Sequence, residues 1–217
     1  MNTMVLSEQF SLVNSWINEL RNVEIQHDRM RFRRNMERIG EIAAFEISKT
    51  LKYKEIEIRT PLDTIKTIEI AVQPVITTIL RAGVPLFEGI LNYFDKADCG
   101  FVAAYRKHDA NDYFSIKQDY LTCPDINGRP LIVADPMLAT GASLIEAIKD
   151  LLTNGIPDQL HVVAAIASRQ GVETIEKAYP DAKIWVGAID ENLTSKGYIS
   201  PGLGDAGDLS YGEKLQR

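Results

Sequence analysis

Five short apolar runs, at residues 74–80, 99–105, 130–134, 161–167 and 184–188, constrain the fold of this chain more than any other feature. They are rich in β-branched residues and apolar nearly throughout, the texture of parallel strands buried on both faces. Amphipathic segments at 85–94, 143–154 and 171–179 lie between them and read as helices. Such alternation predicts an α/β fold, a doubly wound, mostly parallel sheet. Ligands bind to sheets of this kind beyond the carboxyl ends of the strands. Arg81, Arg106 and Asp135 each follow directly on a predicted strand, so the pattern brings all three towards one crevice.

The first third of the chain has a different rhythm. Leu6, Phe10, Val13, Ile17 and Leu20 alternate spacings of four and three, one face of a helix. Asp28 is placed to cap a second helix running to about Lys49, with Phe32, Met36, Ile39, Ala43 and Ile47 inward. Arg29, Arg31, Arg33, Arg34 and Arg38 cluster on it and read as a solvated face rather than a nucleic-acid patch. Residues 54–59 and 64–70 read as half-exposed strands separated by a turn at Thr60, Pro61, Leu62 and Asp63. Residues 111–121 break the strand–helix alternation and suggest a projecting arm. The segment 197–208, with Gly197, Gly202, Gly204, Gly207 and Pro201, reads as no regular element. The expected organisation is one domain over 1–217. It comprises a helical N-terminal region (1–50), the core sheet (74–190), an arm within it (107–122) and a Gly-rich tail (191–217).

Bulk properties narrow the function classes. A chain of 217 residues can bury a sizeable single core. Its formal charge of −6 argues against broad nucleic-acid binding, though local arginines can still hold an anionic small molecule. The two cysteines, Cys99 and Cys123, are too few for a disulfide scaffold and read as reduced thiols of a cytoplasmic protein. Neither they nor the scattered His27, His108 and His161 have metal-ligand spacing, so no protein metal site is expected. The start of the chain lacks a basic segment followed by an apolar run, so no secretory signal is read there. No apolar stretch approaches the ~20 residues of a membrane helix.

The chemistry concentrates in residues 133–143, V-A-D-P-M-L-A-T-G-A-S. A buried strand ends in Asp135, and Ala139, Thr140, Gly141, Ala142 and Ser143 turn into a helix. Free backbone N–H groups at the helix start, flanking hydroxyls and the helix dipole favour a phosphate. Asp135 can accept from vicinal hydroxyls of a sugar. The lysine and glycine spacing of a Walker loop are absent.

This segment resembles the phosphoribosyl-diphosphate (PRPP) motif of the phosphoribosyltransferases. With Asp135-Pro136 in place of two adjacent acids, it is most similar to the uracil enzymes. Two further segments agree in order and spacing: Ile79-Leu80-Arg81-Ala82-Gly83, similar to the pyrophosphate-contacting loop, and Gly197-Tyr198-Ile199 with residues 201–208, similar to the base-binding tail. The resemblance implies transfer of phosphoribosyl from PRPP to uracil, giving UMP and diphosphate. It assigns the donor to Arg81, Arg106, Asp135, Pro136, Met137, Leu138, Ala139, Thr140, Gly141, Ala142, Ser143 and Asp205. It assigns uracil to Tyr198, Ile199, Gly204, Asp205 and Ala206, mainly through backbone groups. Asp135, Arg81 and Asp205 are the expected catalytic residues, with Mg²⁺ carried by the diphosphate. A homo-oligomer, common in the family, and activation by GTP, seen in some relatives, are further implications. The position of Tyr113 and Phe114 after Arg106 suggests an arm that closes over the donor or, equally, a subunit-contact hairpin. One departure is Ala142, where the family usually has glycine; an ordinary helical φ is expected there. The rival readings are a pyrimidine-responsive RNA-binding regulator, which rests on the arginine-rich second helix, and a donor sensor on the same scaffold.

Overall fold

The computed structural model describes residues 2–108 and 114–214. In chain order the elements are β1 (Thr3–Val5), α1 (Leu12–Arg21), α2 (Arg29–Ser48), β2 (Tyr53–Arg59), β3 (Thr64–Ile70), β4 (Val75–Leu80), α3 (Val84–Leu91), β5 (Asp98–His108), β6 (Phe114–Thr122), β7 (Pro130–Ala134), β8 (Met137–Leu138), α4 (Ala142–Leu151), β9 (Gln159–Ser168), α5 (Arg169–Ala178), β10 (Lys183–Asp190), β11 (Asn192–Leu193), β12 (Ile199–Ser200) and α6 (Ala206–Tyr211). The main sheet runs β1-β10-β9-β7-β4-β5-β6, with β8 added beside β9. Every pairing in it is parallel except β5 with β6.

The apolar runs are continuous because helices cover the sheet on both faces. Along β7, Ile132 and Ala134 join the core beneath α1, α2 and α3, while Leu131 and Val133 join the one beneath α4 and α5. Val163 and Ala165 alternate in the same way with Val162 and Ala164 on β9. A strand with one solvated face would show polar residues at every second position.

The N-terminal region departs from the expected helix face. Helix α1 starts only at Leu12, because Ser11 caps it: Ser11 Oγ accepts from the Val13 amide, and Asn14 Oδ1 accepts from the Ser11 amide. Leu6 is buried outside the helix, beyond a short edge strand that sequence periodicity did not reveal, and Phe10 is fully exposed. Helix α2 begins after Asp28, whose carboxylate accepts from the Arg31 amide, as expected. Its arginines have partners within the chain: Arg31 pairs with Glu19, Arg34 with Glu37 and Glu41, and Arg33 donates to the Ser210 carbonyl. Strands β2 and β3 form the expected antiparallel pair around the turn at 60–63. The arm begins as the antiparallel β5–β6 pair; Tyr113, singled out for its closure, lies outside the described residues. Among the described residues no helix is long and apolar enough to cross a membrane.

His161 on β9 is fully buried. Its Nδ1 accepts from Trp185 Nε1 at 3.2 Å, and its Nε2 lies 3.1 Å from Gln159 Oε1, so the ring is neutral with the proton on Nε2. Burial, and then the charge of Lys183, push its pKa down to about 3. An unfolded histidine titrates near 6.5, so between these values the unfolded chain binds more protons than the folded one. The contribution is complete above pH 6.5 and is lost as pH falls towards 3, reaching about 2 kcal/mol of lost stability at pH 5. Glu19, held at about 2 by hydrogen bonds from Arg31 and Asn35, adds acid sensitivity only below its ordinary range near 4.5. Urea midpoints are therefore expected to drop between pH 7 and 5, and to flatten over that interval in His161→Gln.

Candidate active site at the switch point of the sheet

Strand order reverses between β4 and β7: β5 is laid on one side of β4, and β7, β9 and β10 on the other. A crevice opens at such a point, beyond the carboxyl ends of the two strands. Strand β4 ends at Leu80 and delivers Arg81; β7 ends at Ala134 and delivers Asp135.

After β7 the chain is guided along β9. The Asp135 amide donates to the Val163 carbonyl at 3.0 Å, and the Pro136 carbonyl accepts from the amides of Ala165 and Ile166. Met137 and Leu138 form β8, in register with Ile166 and Ala167. Gly141 then turns with φ +81°, a left-handed conformation that favours glycine, and α4 begins at Ala142. The alanine at 142 thus occupies an ordinary helical position, as expected. Amides in the first turn of a helix have no carbonyl a turn earlier to bond, and the dipole adds partial positive charge there. Thr140 and Ser143 flank this turn, half-buried, and Asp135 stands half-buried at the strand end.

The loop is braced from behind by residues the sequence did not single out. Ser168 caps α5, its hydroxyl accepting from the Gly171 amide at 2.8 Å and donating to the Ala139 carbonyl at 2.5 Å. Gly171 lies against the carbonyls of Leu138 and Ala139, where a methyl group would overlap both.

The other two predicted segments meet this loop. The tail is more regular than its composition suggested, because β12 pairs with β11 and α6 begins at Ala206. Helix α6 exists because Asp205 caps it: Asp205 Oδ1 accepts from the amides of Gly207 and Asp208 at 2.9 and 3.0 Å. A methyl placed on Gly197, at the hairpin turn, would lie 4.0 Å from Thr140 Cγ2, and one on Gly207 would come within contact distance of Ala82 and Arg81. Arg81 Nη2 donates to Asp208 Oδ1 at 3.0 Å and to the Gly212 carbonyl. In the β11–β12 hairpin the Thr194 amide bonds to the Tyr198 carbonyl. Leu193 and Ile199 therefore form the pair whose backbone groups point away from each other, and the Ile199 amide faces out of the ladder. Gly204, with φ +95°, is exposed, Ala206 is buried, and Tyr198 is about half exposed. Arg106 does not follow a strand end as expected: β5 runs on to His108 because β6 pairs with it, and Arg106 lies within β5 opposite Ile116, three residues beyond the partner of Leu80; its side chain falls outside the described set.

Two residues of the N-terminal region clamp the tail, Arg21 from α1 and Gln26 from the turn that follows it. Arg21, in the last turn of α1, makes a bidentate pair with Asp190 at 2.7 and 2.8 Å and also donates to the Gly202 carbonyl at 3.0 Å. Asp190 Oδ2 in turn accepts from the Gly202 amide at 2.9 Å. Gln26 Nε2 donates to the carbonyls of Leu20 and Leu203.

Comparison with known proteins gives the same picture across the whole chain. The family model described as uracil phosphoribosyltransferase matches residues 7–212. A protein of Porphyromonas gingivalis named uracil phosphoribosyltransferase is 47% identical over 216 residues, covering 99% of this chain and 100% of its own. One of the same name from Thermococcus gammatolerans is 39% identical, over 87% of this chain and 85% of its own. A solved structure of an Aquifex aeolicus protein superposes with a TM-score of 0.87 at 30% identity, covering 99% of this chain and all of its own. A sheet switch point that gathers a strand-end aspartate, a Gly-turn helix start and a capped Gly-rich tail therefore comes with near-complete sequence matches, and the chain belongs to the uracil phosphoribosyltransferase family.

Proposed function

We propose that the chain transfers the 5-phosphoribosyl group of PRPP to N1 of uracil, giving UMP and diphosphate. The observation that carries this is the convergence, at one switch point, of the Asp135–Ser143 loop, the Arg81 turn and the capped tail. In the reaction the bond from the anomeric carbon to the diphosphate oxygen breaks, its electron pair leaving with the diphosphate. The N1–C1 bond forms and the N1 proton is released. Positive charge builds on the ribose ring, as in other glycosyl transfers.

Placement and the family resemblance together support the following roles. The first turn of α4, with Thr140 and Ser143, holds the 5-phosphate, and residues 136–139 and Gly141 shape the loop that fixes it. Asp135 accepts from the ribose hydroxyls and faces the developing positive ring. Arg81, with Arg106, takes the diphosphate; its guanidinium stays charged and can hold two oxygens at once. Arg81 leaves its contacts with Asp208 and Gly212, or shares them, when the donor arrives. A magnesium ion would be carried on the diphosphate, with Asp135 and Asp205, on separate elements, as the site carboxylates available to it and few direct protein ligands. When bound, that ion neutralises charge on the leaving group. Uracil presents acceptor, donor and acceptor along one edge, matched by backbone groups of Ile199, Gly204, Asp205 and Ala206 beside Tyr198. Cytosine would set a donor against a buried donor, at a cost of about 1–3 kcal/mol.

Incubating the protein with Mg²⁺, PRPP and separately uracil, cytosine, adenine or orotate tests the proposal; UMP from uracil alone is expected, and no nucleotide from any base would overturn it. The proposal extends to a homo-oligomer, tested by light scattering, to activation by GTP, tested by repeating the assay with it, and to a cytoplasmic setting in which Cys99 and Cys123 stay reduced.

Asp205 holds two positions at once, helix cap and neighbour of the base. Asparagine caps as well as aspartate, so Asp205→Asn is expected to melt like the parent while losing turnover by about a hundredfold or more. Unchanged turnover would confine Asp205 to capping. Asp205→Ala should additionally lose about 1 kcal/mol of stability.

A further inference from the structure

We infer that Arg21, Asp190 and Gln26 act together as positioning residues for uracil, setting the backbone geometry of the base loop from the N-terminal region. The inference rests on the tail's role as base reader. Three hydrogen bonds converge on two adjacent residues of the tail. Asp190 takes the Gly202 amide, Arg21 gives to the Gly202 carbonyl, and Gln26 gives to the Leu203 carbonyl. Gly202 and Leu203 are buried and lie between Ile199 and the 204–206 segment, the two stretches assigned to the base. Anchoring the middle of the loop therefore fixes both arms of the base site relative to each other.

The anchor is stiff for stated reasons. Asp190 ends β10, so its position is set by the sheet; it is 7% exposed, and both its oxygens are engaged by Arg21. The planar guanidinium has donors left for the Gly202 carbonyl after the bidentate pair is made. Gly202 has φ +57°, and any side chain there would overlap the Ile199 carbonyl, so the turn has one tight form. A base recognised by backbone groups can be held no more accurately than that backbone. The donor loop, in contrast, is braced by β9 and α5, through the pairing of β8 with β9 and the Ser168 hydroxyl.

The test separates substrates. Arg21→Lys, Gln26→Leu and Asp190→Asn are compared with Arg129→Lys, which loosens another partly buried pair, Arg129–Asp98, near the start of β4 and away from the tail. The expected result for Arg21→Lys and Gln26→Leu is a KM for uracil raised about tenfold, with KM for PRPP within about twofold, since of the residues assigned to the donor only Asp205 lies in the anchored loop. Arg129→Lys should lower the melting temperature without that split. If Asp190→Asn fails to fold, the two milder variants still decide. Equal changes in both KM values, or none, would overturn the inference. Absence of UMP from the unmodified protein would instead overturn the function on which it rests.

Discussion

Asp135→Asn is expected to lose about 10²–10³-fold in kcat/KM for PRPP while keeping the fold, the loss expected when a charge-stabilising group at the reacting centre is removed. The two side chains have the same shape. The backbone of residue 135 is held independently, through its amide to Val163 and the following Pro136 carbonyl to Ala165 and Ile166, so the loop should stay where it is. What changes is charge and hydrogen-bond sense. Carboxylate oxygens only accept, which suits two vicinal ribose hydroxyls; the amide offers one acceptor and one donor. In the proposed mechanism the negative charge opposite the developing oxocarbenium is also lost. Taken at about 2.7–4 kcal/mol, the range for removing one such group, the combined effect covers the expected loss. Steady-state UMP formation at varied PRPP, with a melting curve for each protein, checks it. A fall smaller than about threefold with an intact melt would mean that the ribose is held elsewhere, because a 1.4 kcal/mol effect already gives tenfold.

That expectation could be written from the sequence alone, and the reason is specific to α/β sheets. Apolar runs buried on both faces announce the strands, and a strand end places its next residue at the ligand crevice, so Arg81 and Asp135 were legible without coordinates. The family resemblance added the tail. Less legible were features that depend on partners far along the chain. Strand β1 is three residues long and exists only because β10 offers an edge, and no periodicity can be read in three residues. The helical repeat through Leu6 and Phe10 misled because burial of Leu6 comes from docking after β1, while Ser11 ends any helix that would reach Phe10. The tail read as irregular because glycines dominate it, yet one aspartate cap was enough to start α6. Arg21 and Asp190 lie 169 residues apart, a pairing that only the fold declares.

Gly171→Ala is expected to cost about 10²-fold in kcat/KM for PRPP, although local propensity predicts the opposite sign for stability. Position 171 is the third residue of α5, where alanine is favoured over glycine by about 1 kcal/mol. Read from sequence, the substitution is an improvement. In the fold the new methyl would overlap the Ala139 carbonyl and stand 2.6 Å from the Leu138 carbonyl. Both are backbone atoms of the donor loop, so no side-chain rotation relieves the overlap. The helix cannot retreat easily either, since Val172 and Ile175 are buried against the sheet. The loop must yield by on the order of 1 Å, and misplacement of that size is enough to cost about two orders of magnitude in an oriented reaction. It would also stretch the Ser168–Ala139 hydrogen bond, which sets the height of Thr140 and the α4 start above the sheet. The tail, proposed to read uracil, is anchored separately through Gly202 and Leu203, so KM for uracil should change far less than KM for PRPP. Kinetics with each substrate varied in turn decide the matter. A variant that melts at or above the parent temperature and keeps its PRPP constants would show that the loop is positioned by β9 alone, without the brace from α5.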